Sequence, residues 1–257
     1  MLNRAKELYP SKLRNKFSKS SFALPSVIYY SGNIKNIDKM NYLGVVGSRN
    51  IDDDPEAVPF TNKLVELAVE NNLGISSGGA KGIDTISQNQ ADKFGEFTVI
   101  SVTNSLSKKI NVKEVRESIM DERVVYLSLS SPYSRFSSFN AMNRNKLIYG
   151  CSNYTAVITC SYQTKSVKGK DVIDMNKGGT WGAHECVKNN LSVLLVRSNC
   201  EATTLGNAEL IKTVKCREIR QSDVLCAKNF ESLINTSTEK VNVPYSTPVQ
   251  TELNFGL

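Results

Sequence analysis

The chain has 257 residues, of which 40% are apolar and 22% charged, and 32 lysines and arginines outweigh 25 acidic residues to give a net charge of +7. That length fits one large α/β domain, or one domain with a tail, with enough apolar material for a core. A single histidine, His184, excludes a histidine-rich zinc site, and no apolar run reaches the length of a membrane span.

The positive balance suits a polyanionic partner such as nucleic acid, although many ordinary proteins are equally basic. The six cysteines, Cys151, Cys160, Cys186, Cys200, Cys216 and Cys226, form no CxxC pair, and the amino terminus leads into no apolar signal segment. The expectation is free thiols in a reducing cytoplasm, with no membrane, metal or cofactor.

Residues 1–40 read as a basic amino-terminal extension packing on the core. The helical pattern over Asn3–Phe17 is interrupted or ended by Pro10, and Leu24–Asn33 is extended and closes in a turn. Strands are expected at Tyr42–Val46, Gly74–Ser77, Phe97–Val102, Val124–Ser128, Tyr154–Thr159 and Leu191–Arg197. Each is a short apolar run bounded by turn residues, as strands buried on both faces should be. Helical patterns fall between them at Phe60–Asn71, Ile83–Phe94, Val112–Met120, Ser138–Ile148 and Thr180–Asn189. The alternation predicts an α/β fold of Rossmann-like type: a doubly wound, mostly parallel sheet over 41–235, with helices on both faces. Residues 236–257 read as a flexible tail.

Three glycine-bearing turns carry the chemistry. Gly47, Ser48 and Arg49 follow the first strand; Gly78, Gly79 and Lys81 follow the second; Gly178, Gly179, Thr180 and Trp181 open a helix. Backbone N–H groups at helix starts attract anions, glycine permits close approach, and the cations add full charge. The pattern is neither a Walker A loop nor GxGxxG, so a nicotinamide cofactor is not expected. Asp84, after the second turn, reads as a group that positions its loop, because a carboxylate beside a phosphate repels it. Trp181 either stacks on a base or packs against the sheet.

The stretch from Ser134 to Lys146 interleaves Arg135, Phe136 and Phe139 with Asn143, Arg144 and Lys146. Cations beside aromatics suit single-stranded nucleic acid. Phe136 is the better stacking candidate, whereas Phe139 is expected to plug the core. Arg144 and Lys146 lie two apart on a helix and point differently, so one is free to buttress a loop.

Together these residues resemble the DprA/Smf family of Rossmann-type DNA-processing proteins, from about Leu8 to Val196. The matching segments are Tyr9-Pro10…Leu13, Tyr30…Gly32-Asn33, Val46–Arg49, Ser77–Asp84, Asn143–Ile148 and Gly178–Trp181. The resemblance implies a non-enzymatic accessory protein of DNA processing and recombination, in the cytoplasm of a bacterium or in a phage setting. It would bind single-stranded DNA and assist a RecA-type recombinase; a homodimer is a candidate partnership that the sequence leaves open. The chain departs from the family's pattern: Lys81 and Lys146 stand where arginines are usual, a strand-end acid is replaced near Cys160, Lys165–Met175 is inserted, and no winged-helix domain fits after residue 235.

The segment containing Gln250, Leu253 and Phe255 is similar to the short peptide by which bacterial proteins grip the sliding clamp. Two other readings compete. Gly178-Gly179-Thr180 followed by Glu185 echoes, with altered spacing, the turn and catalytic glutamate of nucleotide phosphoribohydrolases. The same crevice also suits a sensor of a small nucleotide signal.

Overall fold

The computed structural model describes residues 1–3, 7–161, 164–167, 169–173, 178–198 and 205–240. In chain order the first elements are β1 (Leu2–Asn3), α1 (Ser11–Ser18), β2 (Val27–Ser31), α2 (Asn36–Lys39), β3 (Asn41–Val46), α3 (Ala57–Glu70), β4 (Leu73–Ser77) and α4 (Ile83–Lys93). Next come β5 (Thr98–Val102), α5 (Leu106–Lys109), α6 (Lys113–Met120), β6 (Val124–Ser128), α7 (Ser138–Cys151) and β7 (Tyr154–Val157). The chain continues through β8 (Thr164–Val167), β9 (Lys170–Ile173), α8 (Gly178–Lys188), β10 (Val193–Ser198), α9 (Leu205–Thr213), β11 (Cys216–Arg220), α10 (Gln221–Cys226), α11 (Phe230–Thr236) and β12 (Thr238–Lys240).

The main sheet has ten strands in the order β1-β2-β6-β5-β4-β3-β7-β10-β11-β12. Its centre, from β6 to β11, is parallel, while β2 and β12 pair antiparallel at either side. After β3 the chain builds outward through β4, β5 and β6, then returns to lay β7 on the other side of β3. The strand order therefore reverses between β3 and β7, and a crevice opens beyond their carboxyl ends.

Alternate residues of the central strands feed opposite cores, so both faces must be apolar. Leu43, Val45, Ile75, Ala156 and Leu195 pack under α3, α4, α10 and α11. Tyr42, Val99, Val125 and Leu127 pack with α1, α2 and α7 on the other face, and Leu194 and Val196 continue that layer beneath α8 and α9. Leu64, Leu67 and Ala68 of α3, the expected apolar stripe, are all buried.

Several local readings are corrected. The helix expected over Asn3–Phe17 is a short strand followed by Ser11–Ser18, because Pro10 has the extended ψ of 122° and its ring fits only before a helix. Residues 1–40 do not merely pack on the core: β2 bonds to β6 and extends the sheet. Thr238–Lys240, placed in the tail by sequence, is a sheet strand bonded to β11; residues 241–257 lie outside the described residues. The insertion around Lys165–Met175 contains a separate two-stranded ribbon, β8 with β9. Of the cysteines, the five within the described residues are free thiols. No helix among the described residues is long and apolar enough to cross a membrane.

Candidate functional site

The first glycine turn leaves β3 at the point of strand reversal. Ser48 N donates to Thr159 Oγ1 beyond β7 at 2.7 Å, and Ile83 N, at the start of α4, donates to Ser48 O at 3.3 Å. Gly82, with φ of +77°, presses directly on the carbonyls of Ser48 and Arg49, so any side chain there would collide with backbone. The backbone of Arg49 is thus pinned from two sides, while its side chain is exposed. The guanidinium lies over the ring of Phe136, with its carbon 5.5 Å from the ring centroid.

The second turn rests on a buried ion pair. Arg144, from α7, reaches under Gly78, where Nη1 donates to Ser101 O at 3.1 Å and lies 3.6 Å from Asp84 Oδ2. A Cβ on Gly78 would overlap both Arg144 and Asp84. Asp84 also accepts from Ala80 N at 3.3 Å, which ties the loop to the first turn of α4. Burial pushes the Asp84 carboxyl above the usual range, against the charge of Arg144 and the Ala80 N–H. Burial likewise lowers the proton affinity of Arg144; Asp84 opposes this, and the nearby Arg49 charge adds to it. At 7% exposure Arg144 is the loop buttress that one of Arg144 and Lys146 was expected to be, and not the accessible phosphate ligand that it was also expected to be. Asp84 is a positioning group, as the sequence indicated. Lys81, at the tip of this loop, is exposed.

The connection from β6 to α7 bears the aromatics. It is anchored on the loop after β5, where Ser105 N donates to Ser134 O and Ser107 N to Pro132 O, each at 3.1 Å. Ser137 caps α7 by accepting from Asn140 N at 3.1 Å. Arg135 is exposed, and Tyr133, Phe136 and Phe139 are 84%, 51% and 68% exposed. Phe139, expected to plug the core, stands in solvent instead, because the inward positions of α7 are taken by Leu147, Ile148 and Cys151.

The remaining candidates divide. Asn143 is half-buried on α7. Lys146 points away from the crevice: its Nζ lies 4.5 Å from the Phe22 ring centroid, and burial lowers its proton affinity against the charge of Glu185. Glu185 Oε2 accepts from Asn189 Nδ2 at 3.4 Å, and Asn189 Oδ1 in turn accepts from Ser21 N and Oγ. Gly178 and Gly179 do open α8, as the third turn was expected to; the side chains of Thr180 and Trp181 lie outside the described residues. Running antiparallel to its neighbouring strands, α8 starts at the crevice end of the sheet. Gln250, Leu253 and Phe255 also lie outside the described residues.

Sequence reading missed a second buried pair. Arg197, the penultimate residue of β10, forks onto Asp54 with bonds of 2.6 and 2.9 Å and stacks over Phe60, which fastens the segment between Arg49 and α3. A charged residue closing the apolar run of β10 was the available signal, since a buried charge needs a partner.

The sequence model of the family described as DNA recombination-mediator protein A matches residues 1–227. No curated protein matches the chain. Among solved structures, the chain is similar to DNA processing protein A of Streptococcus pneumoniae, at 19% identity and a TM-score of 0.64, covering 92% of this chain and 74% of that one. It is also similar to DNA processing protein A of Helicobacter pylori, at 20% identity and a TM-score of 0.56, covering 82% and 84%. The latter structure was described for its single-stranded DNA binding mode. At these identities the likeness is one of fold.

Proposed function

The chain belongs to the DNA recombination-mediator protein A family, and from that premise we propose that it binds single-stranded DNA at the crevice, as a non-catalytic accessory of DNA processing and recombination. The observation that carries this reading is the exposed Arg49 stacked on the exposed Phe136, beside Lys81, Arg135, Tyr133 and Phe139. Cations serve the phosphates, and ring faces serve unpaired bases, which a duplex hides. Gly47, Ser48, Gly78 and Gly79 supply backbone close to the strand, and the start of α8 extends the same rim.

The test is anisotropy with single- and double-stranded oligonucleotides across a salt titration. Binding should favour the single strand, with a log–log slope of about 0.7 per phosphate engaged. Arg49→Ala and Lys81→Ala should weaken binding to all sequences alike and each lower the slope by about 0.7. Wild-type behaviour in both variants would put the site elsewhere.

The family's mediator role directs the partner proposal to a RecA-type recombinase, tested by co-sedimentation of recombinase with the protein on single-stranded DNA. The tail peptide of Gln250, Leu253 and Phe255 is proposed to hold a sliding clamp, a reading that ends if Leu253→Ala/Phe255→Ala captures clamp as well as the wild type. A homodimer is tested by sedimentation. The phosphoribohydrolase alternative is not favoured, because Glu185 lies near Lys146 and accepts from Asn189, whose own side-chain oxygen is held by Ser21 of the amino-terminal segment. The nucleotide-sensor alternative predicts calorimetric binding of one nucleotide without binding of oligonucleotides.

A further inference from the structure

Resting on the reading that the crevice binds single-stranded DNA, we propose that Phe136 is a positioning residue, whose ring holds the Arg49 guanidinium out for a backbone phosphate instead of stacking on a base.

The need for such a support follows from the surroundings of Arg49. Its backbone is fixed by Thr159, Ile83 and Gly82, but several rotatable bonds separate that backbone from the charge. The guanidinium has no carboxylate partner among the described residues. Beneath it lies another cation, Arg144, and the nearby carboxylate, Asp84, is engaged with Arg144. Like charges repel, so Arg144 disfavours an inward-folded Arg49, and among the described residues the aromatic ring that meets the Arg49 guanidinium is that of Phe136.

An aromatic face is the appropriate support. A carboxylate in that place would hold the arginine equally well but would cancel the charge that a phosphate must find. A ring quadrupole attracts the cation and leaves its net charge intact. The ring is itself carried on a fixed segment, with Ser134 bonded to Ser105 on one side and Ser137 capping α7 on the other. With one face of Phe136 occupied by Arg49, Tyr133 and Phe139 are the more open rings for bases.

A double-mutant cycle decides the matter. Binding of oligothymidylate would be measured by anisotropy at several salt concentrations for wild type, Arg49→Ala, Phe136→Leu, Phe136→Trp and the double variant Arg49→Ala/Phe136→Leu. Phe136→Leu is expected to weaken binding about threefold to fivefold and to lower the salt slope toward that of Arg49→Ala. In the Arg49→Ala background the same change should cost almost nothing, and Phe136→Trp should restore both affinity and slope. The proposal is overturned if the two losses multiply independently, or if Phe136→Leu weakens binding with the full slope retained, since the ring would then be stacking on a base. Wild-type binding by Arg49→Ala would instead overturn the nucleic-acid reading of the crevice, a separate failure. Both side chains are exposed, so thermal melting should be unchanged in every variant.

Discussion

Arg49 and Arg144 serve the same crevice, and the charge of Arg49 acts on Arg144, yet one is exposed and the other sits at 7% exposure. The rim holds Arg49, Lys81 and Arg135, none with a carboxylate partner among the described residues. The layer beneath holds Arg144 with Asp84 and Arg197 with Asp54, each tied to an acid and each fastening a loop that carries the rim. The contrast separates two uses of a cation that composition treats as one. A charge becomes available to a ligand when the fold leaves it unpaired, and a paired charge has already been committed to holding the backbone in place.

The largest expected effect tests the lower layer. Arg144→Ala or Arg197→Ala strands a buried carboxylate and should cost about 3–5 kcal/mol of stability, read by denaturant unfolding. A loss under about 1 kcal/mol in both would erase the distinction between the layers. Next, Gly78→Ala should cost about 1–3 kcal/mol, because its methyl overlaps Arg144 and Asp84 and must displace them. If the variant melts like the wild type, the ion pair does not lie under that turn.

A third experiment asks what a half-buried cation does without an acid. Lys16 donates to the carbonyl of Ser152, at the other end of the sheet, and burial lowers its pKa to about 8 against an ordinary 10.5. The unfolded chain therefore holds a proton that the folded one has released as pH rises through this window, and stability contributed by this group rises with pH from about 8 to 10.5. Relative to Lys16→Met, wild type should gain up to about 1.4 kcal/mol per pH unit there. A pH-independent difference would contradict the assignment. The smallest effect on stability belongs to the rim: Arg49→Ala should leave stability within about 0.5 kcal/mol of wild type while lowering affinity for single strands about tenfold.

Much of the fold was legible locally. Six central strands and the helices between them were marked by short apolar runs and by the period of residues such as Leu64, Leu67 and Ala68. Helix α1 was misjudged only where Pro10 interrupts it. The edge of the sheet was not legible. Residues 205–240 build three helices and two strands from short segments such as Cys-Arg-Glu-Ile-Arg, whose charged residues hide the strand pattern until β10 and β12 flank them.

The site was half legible for the same reason. Glycine turns ending apolar runs placed Arg49 and Lys81 beyond the strand ends, and the aromatic-cationic stretch named Phe136. Nothing local distinguished Arg144 from Arg49, nor Phe139 as a solvent-facing ring.

From its own pattern the chain determined a doubly wound sheet and the loops that crown it, since burial on two faces is written in consecutive residues. Which cations those loops offer and which they consume was decided only by tertiary structure. Arg144 meets Ser101 across 43 residues and Arg197 meets Asp54 across 143, and an ion pair exists only where packing closes such distances and excludes the water that would otherwise solvate each charge alone.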